Sequence, residues 1–160
     1  MPGPKELHDL LAPVPLVHLL SAIEDGMPSE VAFGSEKDQF FGKLGADVIT
    51  GMRVWIYASK TGSANLDPAI RQRVCFVGNF GGSTEAGLSY SSLHEVRPSS
   101  AKTGDSSWIV LWLVRNLQSI DPPRFYGDFL SAKTKKPLAK EPAGPMLICP
   151  PTGWDYAITK

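Results

Sequence analysis

The chain is poor in the residues that build metal sites, and it has no long apolar run. Its three histidines, His8, His18 and His94, share no ligand spacing. Its two cysteines, Cys75 and Cys149, have no Cys or His close by in the chain. Each cysteine sits in an apolar segment, which reads as a buried free thiol, since Cys is among the most buried residue types. No apolar stretch reaches the ~18 residues that span a bilayer, so no membrane role is expected. Met1 to Glu6 lacks the pattern of a signal peptide, and the expected location is cytoplasmic. Neither sign of charge is in excess, with 16 basic and 16 acidic residues. That balance argues against non-specific coating of a polyanion but leaves room for a local basic patch.

The signatures of catalysis are also missing. There is no Gly-x-Ser-x-Gly elbow, no phosphate loop and no Gly-x-Gly-x-x-Gly turn. Lys60-Thr61-Gly62 and Lys102-Thr103-Gly104 are fragments of known motifs without their partner segments, and turn chemistry explains both. The acidic pairs Glu24-Asp25, Glu36/Asp38 and Asp121/Asp128 read as solvated carboxylates near turns. No catalytic residue, metal or cofactor is therefore expected, and a binding role is favoured over an enzymatic one.

What the chain does have is apolar content of 42% over 160 residues, enough for one domain with a real core. Its 15 glycines and 14 prolines fall between the apolar runs and favour many short elements. Residues 1–12 read as an N-terminal arm and residues 13–160 as a single domain. Val14 to Ile23 fits a strand or a short helix equally, because periodicity cannot decide over so few residues. Ser35 to Leu44 predicts a short helix, with Ser35 as its N-cap and Glu36 and Asp38 in the first turn. Arg53 to Ala58 and Arg73 to Phe80 predict two strands, rich in β-branched and aromatic residues and paired antiparallel. The second is expected to stop at Gly81-Gly82.

Ser83 to Ser107 is mostly polar. Ser106 to Val114 predicts the strongest strand, apolar at both alternating sets and therefore buried on both faces. Asp121-Pro122-Pro123 reads as a hard stop. Arg124 to Leu130 reads as one or two helical turns, and Met146 to Cys149 as a short closing strand. The fold class expected is α+β, a small barrel of about five or six mostly antiparallel strands with flanking short helices.

Aromatic residues gather on these strands. Trp108 and Trp112 share one face of the strongest strand, and Trp55 and Tyr57 share a face of theirs, by the period of two. Such faces stack on flat π-systems. Core packing is the commoner role for strand aromatics, and it weighs more on Trp108 than on Trp55 and Tyr57. Ser59 to Ser63 follows Trp55 and Tyr57 directly and offers hydroxyls, backbone N–H groups and the Lys60 ammonium. Lys133, Lys135, Lys136 and Lys140 form a second basic set, able to hold a nucleic-acid backbone if it flanks the aromatics.

Several segments in order resemble the EVE domain of the PUA-like superfamily, which also includes the YTH and ASCH domains. They are Gly34 to Val54, Val54 to Lys60, Val74 to Phe80, Asp105 to Pro123 and Leu147 to Ile158. The resemblance covers roughly residues 33 to 158. It implies a PUA-like barrel and a non-catalytic role in which a modified base of DNA or RNA, flipped from its strand, enters an aromatic-lined pocket. Matched by position, that pocket draws on Ser35 and Lys37, on Trp55, Tyr57, Ser59 and Lys60, and on Trp108. The chain departs from the family in its opening strand, where Val14 to Ile23 has no Trp and no Lys-Ser-Glu run. It departs again at Gly51-Met52, where Gly-Asp is typical. Two other readings stand beside this one. One is a structural or protein-interaction module of a larger assembly. The other is a small ASCH-like nuclease or hydrolase, which would need Lys37 or Lys60 beside an acid; the ASCH signature Gly-x-Lys-x-x-Glu-x-Arg is absent.

Overall fold

A computed structural model describes residues 8–26, 29–36, 52–58, 73–98, 109–139 and 144–151. Its elements are β1 (Asp9–Val14), α1 (Leu16–Glu24), β2 (Glu30–Glu36), β3 (Arg53–Ala58), β4 (Arg73–Ser83), α2 (Tyr90–Glu95), β5 (Ile109–Phe125) and β6 (Met146–Ile148). Short 3-10 turns follow β4 at Thr84–Ala86 and β5 at Tyr126–Asp128.

The six strands form one sheet in the order β2-β5-β4-β3-β1-β6. β1 and β3 run parallel, and the other neighbours are antiparallel. The class is α+β, as the expected series of strands and short helices implied. Among the described residues the sheet is open, because β2 and β6 end the order and do not pair with each other.

β5 dictates the layering. Val110, Trp112 and Val114 point to one face, and Leu111 and Leu113 to the other, all buried. The same alternation runs through the neighbouring strands. Leu10, Ala12 and Val14 of β1, Val31 and Phe33 of β2, Val54, Ile56 and Ala58 of β3, and Phe76 and Phe80 of β4 join one core with Leu19 and Ala22 of α1. We call this side the α1 face. The far face carries two separate clusters. One gathers Leu11, Trp55, Tyr57, Val74, Val77, Ile120, Phe129 and Ile148. The other gathers Ala32, Leu111 and Leu113 under Leu93 of α2. Phe33 and Trp112, directly opposite in the β2–β5 register, pack with ring centroids 5.4 Å apart on the α1 face.

Several sequence expectations are corrected here. Asp9–Val14, placed largely in an arm, is β1, an interior strand between β3 and β6. The ambiguous Val14 to Ile23 segment divides at Pro15. Val14 ends β1, Pro15 sits at the helix entrance with φ −55°, and α1 follows. Gly26, at φ 87°, turns the chain after the helix, its N–H donating to the Ile23 carbonyl. Ser35 is not a helix cap; it and Glu36 belong to β2, opposite Val110 and Ile109. The rest of that expected helix lies outside the described residues. Arg124 to Leu130 contains one 3-10 turn and no α-helix. The polar segment after β4 contains α2, whose N-cap Ser89 accepts from the Ser92 N–H.

Both expected stops are crossed by bulges. Gly81-Gly82 does not end β4. Phe80 pairs with Val114 and Ser83 with Trp112, so two glycines face Leu113 alone, and Gly82 at φ 104° absorbs the extra residue. Asp121-Pro122-Pro123 does not end β5 either. Phe76 pairs with Ser119 and Val74 with Arg124, so residues 120–123 stand opposite Cys75 alone. Ladder hydrogen bonds are interrupted there, and the missing proline N–H groups cost little.

Each end of the sheet is covered in part. At Ala32, the outward N–H of β2 donates to the Val96 carbonyl (3.1 Å) and the outward carbonyl accepts from buried Arg97 Nη1 (3.1 Å). Along β6, Ala132 N–H donates to the Leu147 carbonyl and Cys149 N–H to the Leu130 carbonyl. Occupied edge groups are closed to pairing with another chain.

Gly78 tests the packing between β4 and β5. A Cβ built there would lie 2.5 Å from Val114 Cγ1 and 3.0 Å from the Arg115 carbonyl oxygen, whereas one at Gly144 meets nothing within 4 Å. Gly78→Ala is expected to cost about 1–3 kcal/mol, as overpacking does, and Gly144→Ala almost nothing. Urea unfolding of the two variants checks this.

Candidate functional site

The sheet itself separates the residues expected to form one pocket. Ser35 continues the Val31, Phe33 alternation and stands on the α1 face. Trp55 and Tyr57 belong to a far-face cluster. Their exposures are 0% and 1%, so neither ring offers a free face for stacking. Lys37, Ser59, Lys60 and Trp108 lie outside the described residues. Trp55 is held from two sides. Phe129 packs on it edge-on at 5.6 Å between centroids, and its Nε1–H donates to Asp9 Oδ2 at 2.9 Å.

Asp9 ties this corner together. It is buried at the start of β1, where its Oδ1 accepts the Arg53 backbone N–H (3.1 Å) and its Oδ2 accepts Arg53 Nε (2.9 Å). Arg53 Nη2 also donates to the Pro151 carbonyl (3.2 Å), and its guanidinium lies 5.1 Å from the Trp55 ring centroid. A buried carboxylate is tolerated because the indole, a guanidinium and a backbone amide all donate to it.

Register then extends a polar row across the far face. Arg53 is opposite Asn79, Asn79 is opposite Arg115, and Arg115 is opposite Glu30. Directly opposed residues point to one side of a sheet. The row therefore reads Arg53, Asn79, Arg115, Glu30, with Asp9 beyond Arg53. It runs between the cluster around Trp55 and the cluster under α2. Gly81, next along β4, keeps the floor low: a Cβ there would lie 3.2 Å from Arg115 Nη1. Arg124 joins this face by its pairing with Val74.

A basic turn borders the same face. Phe129 and Leu138 pack into the Trp55 cluster, and between them residues 131–136 fold into a tight turn. Lys135 N–H donates to the Ser131 carbonyl (2.8 Å), and Ser131 N–H donates to the Lys136 carbonyl (2.9 Å). Ser131 Oγ accepts from Lys133 N–H, and Lys135 takes φ 61°. Lys133, Lys135 and Lys136 are all exposed. These three lysines sit on the turn between Phe129 and Leu138, both packed in the Trp55 cluster; Lys140 lies outside the described residues.

Arg53, Asn79, Arg115 and Arg124 were missed by sequence reasoning. Arg53 was within reach, since it shares the Trp55 face by alternation. Arg115 was not, because its face depends on which strand β5 pairs with and in what register.

Among the described residues no group of three or more His, Cys, Asp or Glu could hold a metal ion, and no helix is long and apolar enough to cross a membrane. Burial raises the Cys75 thiol pKa, against a smaller opposing pull from Arg73. Both cysteines are free thiols. Comparison of the chain with protein-family models, curated proteins and solved structures gives no match.

Two outcomes follow. Asp9→Asn is expected to lower stability by about 2 kcal/mol in urea unfolding, less than the ~3–5 kcal/mol of a fully buried pair, because Arg53 still touches water. Cys75 should react with iodoacetamide more slowly than a free thiol at pH 8 and speed up as pH rises. Its raised folded-state pKa means that its contribution to stability is complete below the unfolded thiol pKa and is lost as pH rises through the folded one.

Proposed function

We propose that this chain is a non-catalytic nucleic-acid-binding module that takes the phosphate backbone of a strand along the far face of its sheet. One observation carries the reading. In a chain of zero net charge, Arg53, Arg115 and Arg124 share the side of the sheet bordered by the turn bearing Lys133, Lys135 and Lys136. A basic face on a neutral molecule steers and holds a polyanion in a defined orientation.

The resemblance to the EVE domain supports the same class of ligand. In that finer reading the sheet is one wall of a PUA-like barrel, and a modified base reaches Trp55 and Tyr57. The base then has to displace Phe129, whose ring covers Trp55, so entry is gated by movement of the segment after β5.

A second reading is favoured by α1. Val17, Leu20 and Ile23, spaced three apart on its outer side, are all exposed. An amphipathic helix normally turns such positions polar, and three apolar ones in a row suit contact with another protein.

The readings separate experimentally. With labelled single-stranded oligonucleotides, the Lys133→Glu, Lys135→Glu, Lys136→Glu variant is expected to lose binding, and the wild-type affinity to fall steeply with salt, by about 0.7 in log–log slope for each phosphate contact. Trp55→Phe should keep backbone binding while losing about 1 kcal/mol of stability with the indole hydrogen bond. Equal affinity for modified and plain strands would remove the base-entry part. Absence of salt-sensitive binding, together with a stable complex lost in Leu20→Glu, would favour the protein-partner reading.

A further inference from the structure

The two arginines of the polar row are not equivalent. Arg53 is committed. Its side chain is 28% exposed against 4% for Asp9, and its guanidinium is held by one bond to that carboxylate and one to the Pro151 carbonyl, while its backbone N–H donates to the second carboxylate oxygen. An incoming anion would have to compete with a largely buried carboxylate to recruit it. Arg115 is held differently. Its Nε donates to Glu30 Oε2 at 3.2 Å, with side-chain exposures of 52% and 47%. An exposed ion pair of this kind contributes little and exchanges readily. A Cβ at Gly81 would lie 2.9 Å from Leu113 Cδ2 and 3.2 Å from Arg115 Nη1, so the bare glycine leaves room for both side chains, and Asn79 is the cross-strand neighbour of Arg115.

We infer that Arg115 is the phosphate-contacting residue of the row, and that Glu30 is a resident competitor occupying the place of a phosphate when no strand is bound. This rests on the nucleic-acid reading above and assigns roles within it. A phosphodiester presents two oxygens to a guanidinium, as a carboxylate does, and the planar fork of arginine matches both. Binding exchanges one anion for another on Arg115, and Glu30 swings out to water. Asn79 lies beside the exchange point with an amide donor for the second oxygen. Arg53 acts as a positioning residue, keeping the β1–β3 end of the row in place. Glu30 thereby sets a threshold: it lowers affinity for isolated phosphates, and a strand that also reaches the lysine turn overcomes it.

The test measures anisotropy of short fluorescein-labelled oligothymidylate and oligouridylate against wild type, Arg115→Ala, Arg115→Lys and Glu30→Gln over a salt series. Arg115→Ala should bind several-fold more weakly, with a salt slope shallower by about 0.7. Arg115→Lys should keep the slope and recover only part of the affinity. Glu30→Gln should bind more tightly than wild type, a gain that disappears when Arg115 is also Ala, whereas a change of net charge alone would persist in that background. Unchanged affinity in Glu30→Gln and in Arg115→Ala, with wild type binding normally, overturns this assignment and leaves the module reading intact. No binding by wild type at low salt overturns both. Glu30→Gln alters one exposed side chain, so it keeps the test valid if Arg115→Ala is unstable.

Discussion

β5 places apolar side chains on both of its sides from Val110 to Val114, and the sheet has to be covered twice because of it. On one side α1 and the larger core meet this demand. On the other, the cover comes in two pieces, α2 at the β2 end and the segment after β5 around Phe129. Between the pieces the far face is left to polar side chains. The polar row therefore exists because two small covers do not meet over a wide sheet. That gap is where Arg53, Asn79, Arg115 and Glu30 line up by register.

Irregularities place the residues that matter. The bulge around Asn116, at φ 56°, lets β5 continue past Arg115 and brings Ile120 under the Trp55 cluster. The bulge over residues 120–123 lets two prolines lie within a strand and delivers Phe129 onto Trp55. Gly82 lets β4 run on to Ser83 opposite Trp112. Bulges bend strands and increase twist, and here they also set which side chains stand together.

Trp55 changes role between sequence and structure. As an aromatic leading into a polar loop it suggests a stacking surface. In the fold it is a buried anchor that shares Asp9 with Arg53 and supports the segment leading to the lysine turn. Aromatic rings on strands bury large areas, and burial is where most of their free energy lies. The cations Lys133, Lys135 and Lys136 near this anchor stay exposed.

The α+β class, the strands β3, β4, β5 and β6, the antiparallel β3–β4 pairing and the double-sided burial of β5 were legible in the residues themselves. Each rests on local alternation and propensity, which act over a few residues. Tertiary structure alone decided that Asp9–Val14 is an interior strand parallel to β3, that Ser35 and Trp55 lie on opposite faces, and that Arg53, Arg115 and Glu30 share a row. Those facts depend on strand order and register, which join residues far apart in the chain, Asp9 to Arg53 across 44 positions and Glu30 to Arg115 across 85. A shift of one residue in pairing reverses every side chain, and no local pattern records which pairing the whole sheet selects.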